Sequence, residues 1–435
     1  MTSLFGNFAV GVNALNGESK ALSAISNNIS NSQTVGYKSE RILFADLLTP
    51  HGDQYGISAP EQRSFFHGMS ATADYMISRQ GTITPTDRSL DIAISGRGFF
   101  PTQTTAGSTD VSDLRYTRDG NFVKKMEYPN APDQTEGVMR LVNNSGNYLM
   151  GYKVGANGTP TTTLVPIEID TSTVAPEMPG RATTAIDYKA NIPSATATGD
   201  TVGTNVEYFP DNPTTKSTFW LEWVKNGTDN GWTVQARDSK TGPVLSSQDV
   251  VFTPPAAGTP QAKAGQGNMP VPATFTVTVG NGQQISVDLS DTTQYASELI
   301  PPQTTQDGYL DGDLQDVGFD DQGYLVGSYT NGQEQRLYRL PIMFFNNDDG
   351  LKPAEGQDFS YTADAGDRSY YYAQGTTPDG QEPLGGITPY AVEASTTDIA
   401  SEFSNLIISQ RAYQMATKII TTTDQMAQTA VNSKQ

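Results

Sequence analysis

Cysteine is absent from this 435-residue chain, and histidine occurs only twice. The first absence excludes a disulfide framework and thiol nucleophiles. The second leaves most transition-metal sites, and any Ser-His or Cys-His triad, short of ligands or a base. Both histidines, His51 and His67, lie in polar sequence and read as surface or packing residues. No run is long and apolar enough to predict a membrane-spanning helix. The opening MTSLFGNFAVGVNALNG has no basic n-region and no unbroken apolar core, so it does not read as a secretory signal peptide. Positive charge is scarce, with 27 Lys and Arg against 47 Asp and Glu. Nucleic acid is therefore not an expected partner.

Proline is missing from both ends. All 26 prolines fall between Pro50 and Pro389, and residues 390–435 also lack glycine. The excess negative charge is missing from the same places. Residues 1–46 balance to zero and residues 390–435 carry −1, so almost the whole net charge of −20 sits in the middle. Near-neutral ends can pack against copies of themselves with little like-charge repulsion. At this length two to four domains are expected.

What the ends do contain is helical periodicity. Phe8, Leu15, Leu22 and Ile29 recur every seven residues, flanked by Leu4, Val12 and Ile25. The Asn27-Asn28 pair and Asn31 predict where this helix stops, and Gly36 permits a sharp turn. At the other end Ile399, Leu406, Tyr413, Ile420 and Ala427 repeat by seven, with Phe403 and Val431 on the alternate seam. That seam is otherwise polar, at Gln410, Thr417 and Asp424. Ser395, Thr396 and Thr397 are candidate N-caps, and Asp398 favours the first turn. A helix of this length predicts a coiled coil, with the N-terminal helix or with neighbouring subunits. An ordinary intramolecular helix pair closing a β protein fits the periodicity equally well.

The middle reads as turns and strands. Residues 88–100 alternate Leu90, Ile92 and Ile94 before a turn at Gly96. Asp119-Gly120 predicts a hairpin in YTRDGNFVKK, and residues 317–345 read similarly. Residues 218–253 predict three strands holding all three tryptophans, Trp220, Trp223 and Trp232. The Pro/Gly/Thr-rich stretches 191–216 and 254–274 read as long loops. The Asp-Gly pairs of 307–323 do not supply an EF-hand pattern and read as turns. Gly96-Arg97-Gly98 lacks the third glycine and following helix of a phosphate loop. No catalytic constellation emerges, so the chain does not read as an enzyme, and no metal or cofactor is expected.

Several segments resemble bacterial flagellar hook proteins, of the rod–hook axial family. LSAISNNISNSQTVGYKSERILFADLL (22–48) is similar to the family's N-terminal signature through Asn27, Asn28, Ile29, Asn31, Ser32, Gly36, Tyr37, Lys38, Phe44, Ala45 and Asp46. LDIAISGRGFF (90–100), YTRDGNF (116–122), GYLVGSYTNGQEQRL (323–337) and FFNNDDGL (344–351) resemble its inner β domain. VEASTTDIASEFSNLIISQRAYQMATKIITTTDQM (392–426) is similar to its C-terminal helix, including Glu393, Ala394, Ser395, Gln410, Arg411, Tyr413 and Gln414. Residues from roughly 150 to 300 match weakly.

The resemblance implies a mixed, mainly β fold whose terminal helices, 1–30 and 396–435, pair as a coiled coil and line the inner tube of a helical polymer. It implies a connecting segment at 31–85 with 389–395, an inner β domain from 86–179 and 304–388, and an outer β domain at 180–303. It implies assembly residues Phe8, Leu15, Leu22, Ile25, Asn27, Asn28, Ile29, Asn31, Gly36, Tyr37, Lys38 and Phe44 at one end. At the other it implies Ile399, Phe403, Leu406, Gln410, Arg411, Tyr413, Ile420, Ala427 and Val431. Implied partners are many copies of the chain itself, rod, hook-cap and hook–filament junction proteins, and a type III export apparatus. The expected place is the hook outside the cell, reached without a cleaved signal peptide and without membrane insertion. Two other readings stay open at this point: a distal rod or junction subunit, and an extracellular β-rich adhesin using the tryptophans as a sugar platform.

Overall fold

The computed structural model describes residues 2–48, 66–108, 110–127, 137–155, 157–170, 177–211, 215–253, 269–280, 282–295, 300–372 and 385–432. One helix opens the chain, α1 (Thr2–Ser30), and one closes it, α2 (Ile399–Asn432), with strands between them. The fold is mainly β with paired terminal helices. Contacts divide the chain into two compact units. The first is Met1–Thr173 with Val317–Gly327 and Gln335–Gln435; the second is Val174–Asp316 with Ser328–Glu334.

In the first unit the proline-free ends form the helices their periodicity predicts. α1 stops at the asparagine cluster, where Asn31 N–H still bonds the Asn27 carbonyl at 3.0 Å. Gly36, at φ +69°, then turns the chain. The cap of α2 differs from expectation. Asp398 fills that role, its Oδ1 accepting from the Ala400 and Ser401 amides at 2.9 and 3.3 Å. Thr396 is engaged elsewhere, and Ser395 Oγ accepts from Thr397 N–H at 3.2 Å.

The helices run antiparallel. Gly11 lies against Ile420, while Asn28 donates to Glu402 at the other end. A Cβ at Gly11 would come within 2.9 Å of Ile420 Cγ1, so the missing side chain lets α2 approach. Another face of α1 carries a two-stranded arm, β1 (Glu40–Leu48) and β2 (Phe66–Tyr75), paired antiparallel. There Gly17 makes room for Phe44 and Met69, and Lys20 Nζ donates to the Ala71 carbonyl. Gly11 and Gly17 sacrifice helix propensity for backbone approach on two different faces.

The β portion of this unit is built on the strand Phe100–Gln103. It pairs with Leu114–Thr117 on one side and Tyr148–Val154 on the other. Ile77, Phe99, Tyr116, Phe345, Leu351 and Phe359 form one of its buried clusters. Within it the Tyr116 and Phe345 rings meet edge-on at 4.7 Å, a geometry that favours the ring quadrupoles. The expected Asp119-Gly120 hairpin does not form. Leu114–Thr117 pairs with Phe100–Gln103 and Asp358–Ser360, while Val123–Glu127 pairs with Val138–Val142. Gly120 instead presses its backbone on Ile92, whose carbonyl would lie 1.5 Å from an added Cβ. The expected tight turn at Gly96-Arg97-Gly98 is present, with both glycines at positive φ.

The second unit packs two five-stranded sheets on one core. Ser217–Lys225, Gly231–Arg237 and Val244–Thr253 are the three strands expected around the tryptophans, in antiparallel register. Alternation sends Phe219, Leu221 and Trp223 inward, where they meet Trp232, Val234, Ile186 and Phe275. Trp220 points the other way. Its indole covers Gly203 on the neighbouring strand, with Lys240 Nζ 5.5 Å from the ring centroid. The 191–216 stretch is not the expected loop. It completes the strand Ala185–Pro193 and holds the strand Thr201–Tyr208, whose Gly, Thr and Asn content hides its single fully buried side chain, Val206. Of the other expected loop, 254–268 lies outside the described residues, and Met269–Val271 is a strand. Asp320, in the first unit, serves a turn, accepting from the Gln322 and Tyr324 amides, whereas Asp307 makes no local turn bond of that kind and accepts from the distant Thr184 and Ala185 amides. His51 lies outside the described residues, and the backbone places His67 on β2.

Candidate functional site

The N-terminal signature and the segment leading into α2 meet at one carboxylate. Glu393, 1% exposed, accepts from Lys38 Nζ at 2.6 Å and from Arg118 Nη1 at 3.1 Å. Its Oε1 also accepts from the Gly81 amide at 2.7 Å, and its backbone carbonyl from the Gly36 amide at 2.7 Å. Lys38 makes a second bond to the Arg79 carbonyl, and Arg118 Nη2 one to the Gly96 carbonyl at 2.7 Å. Lys38 and Arg118 are themselves nearly sealed from solvent. Charges so buried are tolerated when they are paired and hydrogen-bonded, and these are paired, with Arg118 Nε the one guanidinium nitrogen left without a partner. Burial nonetheless pulls the Lys38 ammonium down to about 8, against the upward pull of Glu393.

A second polar set joins the helix ends. Asn28 donates to the Glu40 carbonyl at 2.7 Å and to Glu402 at 3.0 Å. Its Oδ1 accepts from the Glu40 amide and from the Tyr37 hydroxyl. One buried amide thus ties the end of α1, the start of β1 and the first turn of α2. Ser39 N–H donates to Thr396 Oγ1 at 2.9 Å, and the Thr396 amide to the Tyr37 carbonyl at 3.1 Å. Gly36 fits where a Cβ would lie 2.6 Å from Asp119 N, so positive φ and crowding both demand glycine there. Asp119 is fully buried, accepting from the Asn121 amide and Asn144 Nδ2. Burial, helped by the charge of Asp358, pushes its carboxyl up to about 6.

Of the residues singled out in sequence, the structure brings Asn27, Asn28, Asn31, Gly36, Tyr37 and Lys38 to this junction. Asn27 bonds Glu40, and Asn31 caps back onto the Asn27 carbonyl. Leu15, Leu22 and Ile29 are half-buried, Ile25 is buried, and Phe8 and Phe44 are exposed. On α2, Leu406, Ile420 and Ala427 are half-buried, whereas Ile399, Phe403, Gln410, Arg411, Tyr413 and Val431 face outward. Besides Ile25 and Asn28, the buried positions of α1 are small residues, Gly11, Gly17, Ala21 and Ala24, which a search for large apolar side chains passes over. Sequence reasoning does not single out Ser39 or Arg118, gives Thr396 a capping role and Asp119 a hairpin role in place of the junction roles they have, and assigns Glu393 none. Their one signal is charge or polarity inside otherwise apolar or turn-like motifs.

Among the described residues twenty large hydrophobic side chains are exposed, and eleven of them lie on the two helices. Nine belong to α2: Ile399, Phe403, Ile407, Ile408, Tyr413, Met415, Ile419, Met426 and Val431. The junction holds the chain ends together, and the described residues leave an apolar surface of α2 uncovered.

A family model described as "Flagella basal body rod protein" matches residues 8–38, and one described as "Flagellar basal body rod FlgEFG protein C-terminal" matches residues 389–433. These are the two stretches that converge here. The flagellar hook protein FlgE of Rhizobium meliloti (strain 1021) is 30% identical over 440 residues, covering 99% of this chain and 100% of that protein. FlgE of Salmonella typhimurium (strain LT2) is 30% identical over 448 residues, covering 98% and 99%. The crystal structure of Helicobacter pylori flagellar hook protein FlgE2 aligns with a TM-score of 0.46 at 13% identity, over 70% of this chain and 98% of that one.

Two outcomes follow from the junction. Replacing Glu393→Gln strands two buried cations on one neutral amide and should cost about 3–5 kcal/mol in denaturant unfolding; a loss below about 1 kcal/mol would contradict the geometry. Asp119 has a folded pKa above its unfolded value of 3.8, so its contribution is full below that value and is lost as pH rises through about 6. The stability of the chain relative to Asp119→Asn should therefore fall between pH 4 and pH 7, by roughly 2 kcal/mol. Parallel pH profiles would contradict this.

Proposed function

Because the chain belongs to the flagellar hook protein family, and is thus a structural subunit of the flagellar hook, we propose that α1 and α2 form the inner wall of its polymer. The single observation carrying this is the outward apolar face of α2, on a helix whose other side is already occupied by α1. A monomer has no use for nine exposed large hydrophobic residues on one 34-residue helix. Copies stacked along the tube cover them. The near-neutral charge of the ends supports such packing, and the acidic middle stays hydrated outside the wall.

In this reading residues 1–30 and 396–435 are the wall, and 31–85 with 389–395 the connecting segment. Residues 86–179 with 304–388 form the inner β domain and 180–303 the outer one. The assembly residues are those at the helix ends together with the exposed row of α2. The subunit meets rod proteins at one end of the hook and hook-cap or junction proteins at the other. It leaves the cell through the type III export apparatus without a cleaved signal peptide. The polymer bends as a universal joint and transmits torque.

The competing readings lose support. A sugar platform needs exposed tryptophans, and Trp223 and Trp232 are fully buried. The full-length similarity to hook proteins, including the middle, favours hook over rod.

Electron microscopy of the purified chain tests the reading. It should form curved tubes, and Ile408→Asp should abolish them while leaving the melting temperature within a few degrees. Straight or absent tubes from the unaltered chain, or normal tubes from the variant, would overturn it.

A further inference from the structure

The chain has no cysteine, so its most readily oxidised side chains are its 11 methionines. They are not equivalent. Met150 and Met343 are 3% and 8% exposed in the β core, whereas Met415 and Met426 on α2 are 62% and 58% exposed. Eleven residues apart, these two return to the same side of the helix. Ile408 lies seven residues before Met415, and Ile419 lies four after it. The four form one stripe spanning about 40° of helix surface. This stripe stands beside the face that Ala416, Ile420 and Thr423 turn inward, and it belongs to the apolar surface left uncovered in the single subunit.

We propose that Met415 and Met426 are modification sites: oxidation of their thioethers by a two-electron oxidant such as hydrogen peroxide blocks assembly of the free subunit, and assembly in turn shields them. The assembly half of this rests on the wall role given to α2 above. The step is balanced. The thioether sulfur attacks one peroxide oxygen, the O–O bond breaks, sulfoxide and water form, and sulfur loses the two electrons that peroxide gains. The sulfoxide is polar and accepts hydrogen bonds, while the stripe around it offers isoleucine. Burying it against a second copy without a donor penalises the contact, roughly tenfold or more in critical concentration per subunit. Methionine suits the stripe in its reduced form because its unbranched, polarisable side chain fits contacts that shift as a tube bends.

The test uses the full chain. Monomer is treated with hydrogen peroxide, mapped by peptide mass spectrometry, then assembled and measured by sedimentation and electron microscopy. Met415 and Met426 should gain oxygen at least tenfold faster than Met150 and Met343, and the oxidised subunit should fail to assemble. The same dose on preformed polymer should leave Met415 and Met426 reduced. The double variant Met415→Leu/Met426→Leu should assemble after peroxide treatment although Met126, 44% exposed on a strand, is still oxidised. Equal oxidation rates across the four methionines overturn the site assignment, and this is read from the monomer whether or not tubes form. Normal assembly of oxidised subunits, or peroxide-sensitive assembly of the double variant, overturns the blocking role. Failure of the untreated chain to assemble overturns the wall reading instead.

Discussion

The structure of the first unit depends on a buried carboxylate that no neighbouring stretch of sequence can satisfy. Glu393 is reached by Lys38, 355 residues earlier in the chain, by Arg118 and by two backbone amides. Each partner alone would leave a desolvated charge. Together they pair one carboxylate with two cations, and the cost of burial is offset only when both ends of the chain and the strand region near Arg118 are in place. That makes the junction a closing condition for the fold. α1 has its end tied through Asn28 to Glu40 and Glu402 only when α2 starts where Glu393 and Thr396 place it.

The helices follow from the same constraint. α1 is held between α2 and the β1–β2 arm, and its closest approach to each is through a glycine, Gly11 to α2 and Gly17 to the arm. Close backbone approach leaves little apolar area to share between the pair. The large residues of α2 are therefore free to face outward, on the surface proposed above for contacts between copies. A helix pair that satisfied itself fully would be a good monomer and a poor wall.

Much of this was legible in the sequence. The absence of proline from the ends and the seven-residue spacing located both helices. The tryptophan strands followed from alternation between Gly- and Asn-containing turns. Motif resemblance pointed to the helix ends. The errors have physical causes. Asp119-Gly120 looked like a hairpin because local turn chemistry cannot reveal that Gly120 is needed for contact with Ile92. Thr201–Tyr208 looked like a loop because its composition is that of one, and it is held by pairing with Ser217–Lys225. The seam of large heptad residues on α1 was read as the packing face, but the closest approaches belong to Gly11 and Gly17. Ser39, Arg118 and Thr396 carry no periodic signal, since their partners lie hundreds of residues away.

The central claim is that the chain ends are locked as one cooperative element through Glu393. Hydrogen–deuterium exchange on the full chain and on Glu393→Gln reads it directly. Residues 25–40 and 391–405 should lose protection together and by similar factors in the variant, while the tryptophan-lined core of the second unit keeps its own. Faster exchange at 391–405 with the end of α1 unchanged would contradict it.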